Sequence, residues 1–130
     1  MKAFVKNVKD IDPVCPPGHE NTDSWPLVTP KLGGSDAIEF AITEIRPGGA
    51  GHKDIHETSD HVFFFISGRA YAIVEGERFN VGPGDALFIP RNSNHEVHIE
   101  GKETLRLILC LPRLEKRKAT DFFALAVNFQ

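Results

Sequence analysis

The chain has 130 residues, of which 41% are hydrophobic and 25% charged, with a formal net charge of −3 at pH 7. That length fits one domain with a real core, and the slight acidity argues against a nucleic-acid partner, which would favour a basic face. No apolar run approaches the roughly 18 residues of a membrane span, and Met1 to Lys6 lacks the apolar stretch of a secretory leader, so a cytoplasmic protein without membrane contact is expected.

The first 36 residues read as an N-terminal arm that packs on the body of the domain or on a partner subunit. Lys2 to Val8 is expected to form a strand able to extend a neighbour's sheet edge. Residues 12–34 carry Pro13, Pro16, Pro17, Pro26 and Pro30 and the pair Gly33-Gly34. Proline withdraws a backbone donor, so this stretch reads as a loop rather than a central strand. Cys15 in this segment and Cys110 further on are too few for a disulfide framework and suit a reducing compartment.

Residues 37–112 change character. Short apolar runs rich in Ile, Val and Phe are separated by turn residues. Ala37 to Arg46 is expected to end at Pro47-Gly48-Gly49, and His61 to Ser67 at Gly68. Ala70 to Glu75 and Phe79 to Val81 flank Gly76. Gly82-Pro83-Gly84-Asp85 is a strong turn, in which Asp85 is expected to accept backbone amides. Ala86 to Ile89, Val97 to Glu100 and Thr104 to Leu111 follow. Regular turns at this spacing predict an all-β sandwich or barrel.

Residues 113–130 read as a C-terminal extension. Arg113, Lys116, Arg117 and Lys118 form a solvated basic turn. Thr120-Asp121 either caps a short helix through Phe122, Phe123, Leu125 and Ala126, or the same residues form an edge strand.

The chemistry-bearing residues are histidines. His52, Asp54, His56 and His61 fall within ten residues, and His95 returns two hairpins later. In an extended strand His52, Asp54 and His56 share a face, as do His61, Phe63 and Phe65. A turn through Glu57 to Asp60 brings His61 opposite His56. Neutral imidazoles suit Fe, Zn, Mn, Ni or Cu, with positions left open for water or substrate. His19 and His98 read as hydrogen-bonded or surface residues. Phe63, Phe65, Tyr71 and Val97 are the expected pocket walls. Glu44, Arg46 and Arg106 are polar candidates near the site or on the rim.

These residues resemble the two motifs of the cupin superfamily. The first runs from Gly51 through Asp54-Ile55-His56 and His61 to Gly68. The second is Gly84-Asp85-Ala86-Leu87-Phe88-Ile89-Pro90 followed by His95. Three positions depart from the pattern: Asp54 replaces the first histidine of a His-x-His pair, His61 replaces a glutamate, and Ile99 replaces a closing asparagine. The resemblance implies a single-domain jelly-roll β-barrel that binds a divalent metal through His56, His61 and His95. Either Asp54 or His52 supplies a further ligand. It also implies a homodimer and a small-molecule substrate. The expected activity is that of a metal-dependent oxygenase (a dioxygenase if the metal is iron), isomerase or lyase acting on a small carbonyl or carboxylate compound. The alternative is a binding module that captures a small ligand without turnover.

Overall fold

The computed structural model describes residues 2–16, 18–34, 37–55 and 59–112, with the backbone alone for 50–55. Eight strands follow one another: β1 His19–Val28, β2 Ile38–Ile55, β3 His61–Ser67, β4 Arg69–Val74, β5 Glu77–Val81, β6 Ala86–Ile89, β7 Asn94–Glu100 and β8 Leu105–Pro112. All pairings are antiparallel, in the order β5-β4-β7-β2-β8-β3-β6, with β1 added on β2. The fold is all-β and of the jelly-roll type. Among the described residues no helix is long and apolar enough to cross a membrane.

The strands form where period-two patterning allows one face to be buried. In β8, Leu105, Leu107, Leu109 and Leu111 are buried, while Arg106, Ile108 and Cys110 between them are half-buried. Each such leucine contributes about 2 kcal/mol of hydrophobic stabilisation. Phe63, Phe65, Leu87, Ile89, Ala70, Ala72, Val74 and Val97 close the same interior from β3, β6, β4 and β7.

β2 holds the two halves together. Its residues 38–45 pair with β8, and its residues 50–55 pair with β7. Pro47-Gly48-Gly49, expected to end the strand, lies inside it. There the ladder to β1 slips, so that Thr22 faces Ile45 while Glu20 faces Ala50. The strand bends at this slip and continues. Gly48 sits at φ 89°, and a Cβ on Gly49 would collide with the Glu20 carbonyl.

The proline-rich segment also departs from expectation. Residues 19–28 are a strand and not a loop, because β1 is an edge strand and only one of its sides must offer donors. Pro26 sits there opposite Ala41, buried, and a single bridge from Val14 to Ser24 touches β1's other edge. Ser24 and Thr43 satisfy each other by a hydroxyl contact of 3.1 Å. The expected strand over Lys2 to Val8 does not form: residues 2–7 have no regular structure, and Val8–Asp10 is a short 3-10 turn capped by Asn7. The extension beyond residue 112 lies outside the described residues.

The remaining turns follow their chemistry. Asp85 accepts the Gly82 amide at 2.8 Å, and Gly84 takes φ 90°. Gly68 takes φ 82°, and a Cβ there would lie 2.7 Å from the Thr104 carbonyl.

Candidate functional site

His61 opens β3 and His95 is the second residue of β7. Both follow the inward phase of their strands, so both rings enter the barrel: His61 is 1% exposed and His95 7%. Their ring centres are 5.9 Å apart at 67°. Phe63, in phase with His61, completes a triangle, with centres 6.1 Å from His61 and 6.3 Å from His95.

Nδ1 of His95 lies 3.2 Å from the Ser93 carbonyl. A carbonyl only accepts, so in this contact Nδ1–H is the donor, and in the neutral ring the lone pair is then on Nε2. That is the arrangement found where a histidine ligates a metal and its other nitrogen donates to an outer partner. The ring spacing fits the same purpose. A nitrogen about 2.1 Å from an ion puts its ring centre about 3.2 Å from it, so two rings on one ion have centres at most about 6.4 Å apart.

Of the other expected ligands, His52 and Asp54 fall on β2. Asp54 is the backbone partner of His95 in the β2–β7 ladder. Between Gly51 opposite Val97 and Asp54 opposite His95, two β2 residues face one β7 residue. This bulge at His52-Lys53 breaks the two-residue period that would have put His52 in phase with Asp54. His56 lies outside the described residues. Among the described residues no group of three or more His, Cys, Asp and Glu side chains is gathered closely enough to hold an ion.

Of the expected pocket walls, Phe63 stands beside both histidines and Val97 is the next inward residue after His95 on β7. Phe65 is fully buried, but four residues from His61 along one strand is about 13 Å. It packs the far end of the barrel and is no neighbour of the histidines. Tyr71 is a correction. The alternation of β4 turns Ala70, Ala72 and Val74 inward, and Tyr71 lies on the outer face. There it stacks on His98 with centres 4.9 Å apart, under the Arg78 guanidinium at 3.9 Å. Glu44 and Arg106 also face outward, as a pair 3.3 Å apart, and Arg46 meets Asp23 at 2.6 Å.

Several contacts around the site had no sequence signal. Asp60, next to His61, accepts the Arg91 backbone amide at 2.9 Å and its guanidinium at 3.2 Å. The Arg91 side chain, then its backbone N–H, hold the Asp60 carboxyl below the usual carboxylate range. Ser59 is buried and donates to the Pro112 carbonyl at 3.3 Å. A recess of about 200 Å³ reaches His95, bordered by Ile73, Glu75, Asn94 and Glu96. A larger recess of about 270 Å³, bordered by Arg69, Asn80, Gly82, Asp85 and Glu100, contains no histidine.

The family model described as Cupin domain matches residues 41–111, more than half of the chain. The chain belongs to the cupin family. This cupin is 27% identical over 114 residues to the polyketide synthase CurC of Streptomyces cyaneus, covering 88% of this chain and 72% of CurC. It is 29% identical over 78 residues to an uncharacterised protein of Methanocaldococcus jannaschii, covering 60% of this chain and 61% of that one. The structure of the polyketide cyclase RemF from Streptomyces resistomycificus matches with a TM-score of 0.74 and 26% identity, over 88% of this chain and 81% of RemF.

Proposed function

We propose that this cupin is a metal-dependent enzyme acting on a small carbonyl compound, with His61, His95 and His56 as ligands and Asp54 beside them. The observation that carries this reading is the His61–His95 pair: two buried imidazoles 5.9 Å apart, one with its proton turned away from the cavity. The ladder position of Asp54 opposite His95 favours it over His52 as the further ligand.

A divalent cation bound there supplies Lewis acidity for a carbonyl or enolate oxygen. The chain's own part is to hold and to exclude. The Ser93 carbonyl fixes the His95 tautomer, Asp60 and Arg91 anchor the segments that carry both rings, and the Phe63 ring keeps water from one side. The relatives named as a polyketide synthase and a polyketide cyclase support a substrate with several carbonyl groups.

Elemental analysis of purified protein, with His61→Ala and His95→Ala alongside, tests the reading. We expect close to one equivalent of a transition metal in the native chain and almost none in either variant; unchanged metal content in the variants sinks it. A second reading, a binding module without turnover, is favoured by the imidazole at position 61, where the family pattern has a glutamate. Native mass spectrometry that finds an unaltered metabolite after incubation with metal would select it.

We also infer a homodimer formed through the outer face of β1, β2, β8, β3 and β6. Ladder partners place Phe40, Cys110, Val62 and Phe88 in one row and Trp25, Ile42, Ile108 and Phe64 in the next. Phe88 is 58% exposed, Phe64 42% and Val62 41%. Such a contiguous apolar block on a soluble domain marks an interface. Its border carries both signs, in the Asp23–Arg46 and Glu44–Arg106 pairs.

A further inference from the structure

Glu39 is 0% exposed, a rare state for a carboxylate. It stands on the inward phase of β2, opposite Leu111 of β8. Val62 pairs with Cys110, so the next position along the same ladder brings His61 beside Leu111, and His61 in turn pairs with Ile89. Glu39, Leu111, His61 and Ile89 therefore form one inner row, and every member is buried. Two strand spacings separate the Glu39 and His61 backbones by about 10 Å, and inward side chains of a curved barrel converge from there.

We propose that Glu39 is a second carboxylate, besides Asp54, that balances a cation held by the histidines, acting beside the ligands and not as one of them. This rests on the metal reading above. Neutral imidazoles and the single carboxylate of Asp54 would leave a divalent ion with net positive charge inside an apolar barrel, where an opposite charge on the same inner row acts through a low dielectric. A hydrophobic residue would fill this core position without the cost of desolvating a carboxylate, so a packing role alone does not account for Glu39. Its place in the His61 row makes it a positioning residue for the charge of the site, and no other buried Asp or Glu occurs among the described side chains.

Cobalt(II) titration of the full chain tests this, read by visible d–d absorption, with a thermal melt to confirm folding. Glu39→Gln is expected to melt cooperatively, to bind cobalt about 10- to 100-fold more weakly and to shift the d–d bands, with Glu39→Asp recovering part of the affinity. Equal affinity and an unchanged spectrum in Glu39→Gln overturn the proposal while leaving the metal reading intact. A native chain that takes up no cobalt overturns both. If the Gln variant does not fold, Glu39→Asp decides: reduced affinity with altered bands supports the proposal, and native values overturn it.

Discussion

The Asp60 carboxylate grips Arg91 through both the backbone amide and the guanidinium, at 2.9 and 3.2 Å, and so joins the entry of β3 to the turn that leads into β7. His61 follows the first of these residues and His95 stands four beyond the second, so this contact sets how the two imidazoles approach. Its pH dependence has a definite sign. Arg91 lowers the Asp60 pKa in the folded chain below the ordinary 3.8, so the contact stabilises the fold above that value and loses its effect as pH falls through the lowered one. The melting temperature of Arg91→Ala should lie slightly below that of the native chain at pH 5–7. The difference should shrink below about pH 3.8 and also in high salt, because the pair is exposed. A difference that persists unchanged at pH 2 contradicts this account.

Phe65 and Phe88 separate the core from the exposed outer face. Phe65→Ala empties a fully buried site and should cost about 3–5 kcal/mol in urea unfolding. Phe88→Lys leaves the core intact and should alter the monomer's stability by under about 0.5 kcal/mol.

The same outer face should govern assembly. Phe64→Lys combined with Phe88→Lys is expected to convert a dimer to a monomer in sedimentation velocity, with the native circular dichroism retained. A native chain that sediments as a monomer at high micromolar concentration removes the dimer.

Gly68→Ala should be costly despite its size. The backbone is at φ 82° and the new Cβ would lie 2.7 Å from the Thr104 carbonyl. A loss of about 1–3 kcal/mol is expected, measured by urea midpoint. Gly76→Ala has the same sign of φ, at 79°, but open space around it, and should cost less.

Cys110 should react slowly with alkylating reagents. Burial pushes its thiol pKa up, so the thiolate is scarce at neutral pH. Peptide mapping after a short iodoacetamide pulse should find Cys15, which is exposed, modified first, with Cys110 following more slowly.

Much of the barrel was legible because period-two burial leaves a direct trace. β3 and β6 begin and end where their apolar runs do, and the Asp85 turn makes the bond its residue types imply. The edge strand β1 was not legible, since proline and buried Thr22 and Ser24 mask a strand whose exposed side needs no donors. Tyr71 was misplaced because an aromatic ring suggests a pocket, whereas strand parity alone decides its face. At the site, the shared face of His61 and Phe63 follows from strand parity, while the expectation that His95 joins them came from the resemblance to the second motif. The Asp60–Arg91 grip, spanning 31 residues, and the inward row through Glu39 arise from strand pairing that no local pattern encodes. The bulge at His52-Lys53 likewise appears only once β7 is laid against β2.

Because one strand serves both halves of the barrel, its curvature at Gly48-Gly49 sets how far β3 stands from β7. The gap between the two imidazoles thus depends on this bend as well as on the Asp60–Arg91 contact. On the proposed metal reading, substitutions that flatten or deepen that bend would change the ion radius the two rings accept without replacing either histidine.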